Sequence, residues 1–312
     1  MLPKKIIAIG YPSVAAALWG GLYVIVDMET ASYPPITLSF SRLVIGVIVL
    51  SMIVKITKPR RDYDLEDHYR CIWLGILSSV VVSTQFIGTT LTNSAQASVL
   101  FLLSSVFVLP IAAIHLDEDI TQCKLCGVGL SLIGVILMMY SRYGASKLIS
   151  GNVLGVVMIV SGAAAWSGYT VYGKPIVQKY SAIEAVTLSL LYATPLTAVF
   201  SIVEIIVVDI STETLFSIST MIDSVLILGI FSTAAAYYLW YKGVKYVDTS
   251  YVTMFLYLQP TVGVSLGVLI LDITLSPVGI VGIIVTLIGV GFASNSLIPL
   301  FNAIYPGRSS SL

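Results

Sequence analysis

The 312-residue sequence is 57% hydrophobic and only 10% charged. A soluble domain carries about 25% charge, so a water-soluble fold is excluded and an integral membrane protein remains. Its 16 Lys and Arg balance 16 Asp and Glu, which argues against a nucleic-acid partner.

Ten apolar spans follow one another, at about 11–27, 36–54, 72–91, 95–115, 124–141, 152–172, 184–207, 222–241, 249–271 and 277–295. Each approaches the roughly 20 residues that a helix needs to cross a bilayer. The runs are continuous rather than alternating, so helices are expected and not β-barrel strands. The expected fold class is an all-α integral membrane protein of ten transmembrane helices. Thirteen of the 16 basic residues, among them Lys4, Lys5, Lys55, Lys58, Arg60, Arg61, Lys242 and Lys245, fall on one side of this arrangement. That bias places both termini in the cytoplasm. Lys4-Lys5 before an apolar run also suits a signal peptide, but the run is long and continues the pattern below, so it reads as a retained first span.

The first span contains Ala16-Ala17-Leu18-Trp19-Gly20-Gly21, and Trp19, Tyr23 and Asp27 lie on one stripe at a spacing of four. Asp27 is either a partner for Arg42, a proton site or a solvated interfacial group. Arg42 lies inside the second span, with Ser39 and Gly46 on its face. A charge there costs about 2.5–3.5 kcal/mol on insertion scales. It is either an anchor for a substrate carboxylate or half of a structural pair near the outer surface. The third span brings Gln85 and Thr89.

The fourth and fifth spans meet at Leu116-Asp117-Glu118-Asp119-Ile120-Thr121, followed by Gly127 and Leu132-Ile133-Gly134-Val135. Cys123-x-x-Cys126 has metal or redox spacing, but no further Cys pair or His lies near it in sequence. With Cys71 it reads as helix packing, and no metal is expected. The sixth span repeats the first: Ala163-Ala164-Ala165-Trp166-Ser167-Gly168 follows it at an offset of 147. Tyr169 and Tyr172 continue it. Glu204 lies near the outer end of the seventh span. The eighth begins Gly229-Ile230-Phe231-Ser232-Thr233, matching Gly75-Ile76-Leu77-Ser78-Ser79, and carries Tyr237, Tyr238, Trp240 and Tyr241. The ninth carries Tyr251, Tyr257, Gln259 and Pro260, a residue that frees a carbonyl one turn earlier and makes a kink or hinge. Leu271-Asp272-Ile273-Thr274-Leu275-Ser276, with Gly282 and Leu287-Ile288-Gly289-Val290, then repeats the first polar turn at an offset of 155.

The chain is therefore duplicated: residues 1–149 form one five-helix unit, 150–298 a second, and 299–312 a cytoplasmic tail. Five is odd, so the second unit is inverted relative to the first, and a substrate site is expected near the midplane between them. Tyr and Trp near span ends usually form interface belts, which suits Tyr172, Tyr241 and Tyr251. Trp19, Tyr23, Gln85, Trp166, Tyr169, Tyr237 and Gln259 lie deeper, where a polar group needs a partner. Together with Arg42 they are the expected substrate-binding residues. Asp27 and Glu204 are the expected ion-coupling carboxylates, and Pro260 the expected hinge. Gly151-x-x-x-Gly155 and Gly263-x-x-x-Gly267 read as close helix contacts.

Leu18-Trp19-Gly20, an Arg in the second span (Arg42), and the acidic turn with Gly127 and Leu132-Ile133-Gly134-Val135 resemble the EamA-type transporters of the drug/metabolite transporter superfamily. The second-half counterparts fit as well. No single motif is specific, but the ordered set on ten helices is. The resemblance implies a secondary transporter that exports or exchanges small metabolites, often amino acids, across the cell membrane by alternating access. Two positions depart from that pattern. Ser105 stands where Pro260 has its mate, with Pro110 in the fourth span instead, and Ile273 stands where Glu118 has its mate.

The competing readings are proton-coupled multidrug efflux, nucleotide-sugar or sugar-phosphate transport, and an intramembrane enzyme. The first wants a carboxylate at the centre of a span and the second several cavity cations. The third wants a catalytic constellation that neither His68 nor His115 supplies. No cofactor is expected. The expected partners are a small-molecule solute and the lipid bilayer. A homodimer is compatible with the sequence, but a monomer suffices.

Overall fold

The computed structural model describes residues 10–21, 34–58, 62–149, 152–208, 222–271 and 276–293. Helix α1 covers 10–21, α2 Pro35–Thr57, α3 Leu65–Leu91, α4 Ser94–Phe101, α5 Ser104–Leu116, α6 Gln122–Ile149, α7 Val153–Lys179 and α8 Ala182–Val207. Helix α9 (Ile222–Ile227) runs through a π-helical stretch, Leu228–Ala235, into α10 (Ala236–Tyr246). Helix α11 (Thr249–Met254) passes through a 3-10 turn, Phe255–Tyr257, into α12 (Leu258–Leu271), and α13 covers Pro277–Ala293. Seven helical stretches among the described residues are long and apolar enough to cross a membrane, and Pro277–Phe292 is a shorter apolar helix. The seven coincide with the second to eighth expected spans. The first expected span is helical as far as 21, and its remainder, with Tyr23 and Asp27, lies outside the described residues.

The fourth and ninth spans are both broken, and at matching repeat positions. In the ninth, Pro260 lacks the N–H that would bond the Leu256 carbonyl, and the turn before it tightens into the 3-10 form. In the fourth the break lies at Leu102–Leu103, well before Pro110, which α5 absorbs inside its length. Ser105, the mate of Pro260, donates its hydroxyl to the Leu102 carbonyl at 2.6 Å. A side-chain hydrogen bond thus accompanies in one half the turn that proline accompanies in the other.

Lipid supplies no hydrophobic drive between helices, so close backbone approach decides their packing. The duplicated glycine stripes meet each other on α6 and α13. A Cβ at Gly134 would lie 2.6 Å from the Gly282 carbonyl oxygen, and one at Gly289 would lie 2.8 Å from that of Gly127. Helix α1 lies as close to α12: a Cβ at Gly20 would sit 2.6 Å from the Gln259 carbonyl oxygen, and one at Gly263 would sit 3.3 Å from that of Gly20. Gly155 packs on Gly88, tying α7 to α3. These contacts hold α6 to α13, α1 to α12 and α3 to α7. Within α6, Gly144 breaks the helix at φ +76°, a value that glycine adopts without a Cβ penalty.

Candidate functional site

Helices α1 and α7 each deliver one tryptophan to the centre of the bundle. Trp19 and Trp166 are repeat mates, and their rings meet edge to face at 5.3 Å. Tyr237 stands perpendicular to both, at 5.5 Å from Trp19 and 5.7 Å from Trp166. Trp240 closes the group at 5.4 and 5.6 Å. Such pairs contribute about 0.5–1.5 kcal/mol each beyond burial, so the cluster is a rigid wall.

Trp19, Trp166 and Tyr237 line a cavity completed by Arg42, Gln85 and Gln259, with Val81, Val82 and Phe101 as apolar lining. Six of the eight expected substrate residues thus share one cavity, drawn from α1, α2, α3, α7, α10 and α12. Of the other two, Tyr23 lies outside the described residues, and Tyr169 stands behind the wall. Tyr169 stacks on Trp166 at 5.5 Å, and its hydroxyl lies 3.0 Å from the Ser189 hydroxyl. Pro260 is buried directly after Gln259.

The polar groups of this cavity are few. Arg42 donates to the Ser232 hydroxyl at 3.4 Å, and its guanidinium lies over the Phe86 ring at 5.7 Å. Ser232 lies in the π-helical stretch, where the altered ladder presents backbone to the bundle. Its carbonyl accepts the Trp19 indole N–H at 2.8 Å. The Trp166 indole N–H finds no hydrogen-bond partner among the described residues, although the side chain is only 3% exposed. Arg42 is the one charged residue lining the cavity among the described residues.

Glu204 turns out to secure the helix that carries Arg42. Its carboxylate accepts Ile36 N–H at 3.0 Å, Thr37 N–H at 2.7 Å and the Thr37 hydroxyl at 2.8 Å. Pro34, at the N-cap of α2, supplies no side-chain cap. A carboxylate from α8 therefore satisfies the open N–H groups and complements the helix dipole.

Glu118 plays the corresponding part at another helix start. Asp117 takes a left-handed conformation at the end of α5, φ +52°, and turns Glu118 inward. Its carboxylate accepts the backbone N–H groups of Thr249 and Ser250 at 2.7 and 3.0 Å and is hydrogen-bonded by both hydroxyls. Lys174 of α7 adds an ion pair at 2.9 Å. Burial pushes this carboxyl up, but the hydrogen bonds from Ser250, Thr249 and Lys174 together outweigh it and bring the pKa down to about 2. Two helices that line the cavity, α7 and the α11–α12 pair, are thus stapled to the end of α5.

Sequence reasoning missed Ser232, Phe101, Val81 and Val82. Ser232 was visible within the repeated Gly-x-x-Ser pattern, whereas the three apolar residues look like any others in a span. Tyr241, expected in an interface belt, is fully buried instead. Gly173 leaves it space: a Cβ there would lie 2.2 Å from the Tyr241 hydroxyl. That hydroxyl donates to the Tyr169 carbonyl at 3.0 Å. The three cysteines are free, and no group of metal-ligating side chains occurs among the described residues.

The model of the EamA-like transporter family matches residues 6–140 and 153–295. An uncharacterized transporter of Archaeoglobus fulgidus is 25% identical over 260 residues, covering 83% of this chain and 88% of the relative. One from Clostridium kluyveri is 27% identical over 270 residues, covering 81% of each. A solved crystal structure superposes with a TM-score of 0.73 at 19% identity, covering 94% of this chain and 98% of that one, which shows the shared fold.

Proposed function

Because the chain belongs to the EamA-like transporter family, we propose that it carries small amphipathic metabolites with a carboxylate, amino acids foremost. Transport would run by alternating access between two inverted repeats, 1–149 and 150–298, in the cell membrane with both termini cytoplasmic. The observation that carries this reading is the charge pattern of the central cavity. Among the described residues Arg42 is its one charge and the Trp166 N–H a buried donor without an acceptor, and the walls are largely aromatic. Arginine pairs with carboxylates through two parallel hydrogen bonds. Gln85 and Gln259 offer amides for an amino group or a second polar end, and the rings accept the apolar part of the solute. A cationic drug would meet Arg42 with like charge, and no carboxylate lines the cavity among the described residues. Glu204 is already occupied in holding α2.

The test is uptake of labelled solutes into proteoliposomes. The panel holds neutral, aromatic and acidic amino acids, a cationic dye and a sugar phosphate, each with and without a pH gradient. We expect saturable amino-acid flux. A charge-assisted hydrogen bond contributes about 1.5–3 kcal/mol, so Arg42→Ala should lower kcat/KM at least about tenfold. Trp166→Phe keeps a ring and removes the N–H, and should raise KM severalfold. Dye flux that needs the pH gradient and survives Arg42→Ala would overturn the carboxylate reading.

A further inference from the structure

A second cleft of about 560 Å³ lies away from the central cavity, between α2, the start of α8 and the π-helical stretch with α10. Its volume falls within the roughly 300–1,000 Å³ of ligand sites. Tyr237 faces the central cavity, and its neighbour Tyr238 lines this cleft. The two sites therefore sit on different sides of one helix.

The walls of the cleft are apolar along its length, with Val49, Leu50 and Ile53 on one side and Ile230 and Ala234 on the other. Ile53 and Ile230 are 40% and 37% exposed, so the cleft opens sideways, where acyl chains surround a membrane protein. One end is basic. Lys58 at the C-cap of α2, and Lys242 and Lys245 in the last turns of α10, line it together. No carboxylate lines the cleft among the described residues. Lys245 is held in place by donating to the Tyr180 carbonyl at 2.8 Å. Lys242 lies 4.4 Å from the Tyr11 ring centre and 5.4 Å from that of Tyr238. An ammonium group carries three donors, so one such contact does not exhaust it. Ser181, at the N-cap of α8, is taken up by the capping box with Glu184, so the lysines are the anion-binding groups here.

We propose that this cleft binds an anionic phospholipid, with its phosphate on Lys58, Lys242 and Lys245 and one acyl chain along Ile53, Ile230 and Ala234. A water-soluble anion would match only the basic end. A zwitterionic lipid would match the walls but would bring a cation to the lysines. A basic pocket between transmembrane helices at the headgroup level suits a lipid that brings both parts. The inference is independent of the transported solute, because none of the cleft residues lines the central cavity.

The experiment is native mass spectrometry of the full-length protein released from detergent, titrated with a phosphatidylglycerol or a phosphatidylcholine of the same acyl chains. Phosphatidylglycerol should bind preferentially. A near-surface lysine is worth about a fivefold change in anionic-lipid affinity, so Lys58→Gln/Lys242→Gln should weaken phosphatidylglycerol about 25-fold. Phosphatidylcholine affinity should stay the same. Lys55→Gln, on the same helix but outside the cleft, should leave phosphatidylglycerol unaffected. Ile53→Trp keeps every charge and obstructs the apolar wall, and it should weaken phosphatidylglycerol as well. Equal affinity for the two lipids would overturn the proposal, as would equal losses in the Lys55 and cleft variants. Full competition by glycerol phosphate would also overturn it, by reducing the site to one for soluble anions.

Discussion

Replacing Glu118 with Ala should lower the melting temperature by on the order of 10 °C. The carboxylate holds five donors from two other helices: two backbone N–H groups, two hydroxyls and the Lys174 ammonium. Removing one partner of a buried ion pair costs about 3–5 kcal/mol, because the other charge stays behind uncompensated. At about 2–4 °C per kcal/mol for a large domain, the shift is large enough for scanning fluorimetry in detergent. The same contact sets a pH dependence. Glu118 titrates at about 2 in the folded protein against an ordinary 4.5. Its contribution, on the order of 3 kcal/mol, is complete above about pH 4.5 and fades as the pH falls toward 2. Wild type should therefore lose stability between pH 5 and pH 3 more steeply than Glu118→Gln. A Glu118→Ala protein that melts within 2 °C of wild type, or parallel pH profiles for wild type and Glu118→Gln, would refute the staple.

The other large effect is expected at the paired glycine stripes. A Cβ at Gly134 would lie 2.5 Å from the Thr286 backbone N and 2.6 Å from the Gly282 carbonyl oxygen. Neither atom can rotate away, so α6 and α13 must separate. Overpacking costs about 1–3 kcal/mol for added methylenes in a core that can shift, and more where it cannot. Gly134→Ala should melt measurably lower, and Gly134→Leu should leave little monodisperse protein on size-exclusion chromatography. Gly129, on the same helix, has nothing within 4 Å of its would-be Cβ, so Gly129→Leu should behave as wild type. If both leucine variants accumulate equally, close approach of these helices is not what holds them.

The two predictions differ in how much of their basis was legible. Gly127, Gly134, Gly282 and Gly289 were legible as part of the repeated motif, two turns apart on one helix face, although only the structure set the two stripes against each other. The staple did not. Glu118 was noticed only as an acidic residue whose mate is Ile273, and nothing local says that it reaches Thr249 and Ser250. Those residues are 131 and 132 positions away, and a side chain's long-range partner leaves no periodic trace. The break in the fourth span shows the opposite risk. Pro110 is the conspicuous residue, yet the turn forms where Ser105 can bond the Leu102 carbonyl.

The sequence by itself determined the solvent, the class of secondary structure, the duplication and the helices that carry polar groups in apolar surroundings. These follow from local runs, because hydrocarbon forces every backbone group into a helix and exposes each buried polar residue as an exception. Only the tertiary structure decided which of those exceptions face one another. It set Trp19 against Trp166, put Arg42 at the π-helical Ser232, and moved Tyr241 into the core beside Gly173. It also assigned Glu118 and Glu204 to helix starts far away in the chain. Helix direction is written every few residues, whereas rotation and mutual distance are set by backbone approach at glycines and by carboxylates reaching between helices.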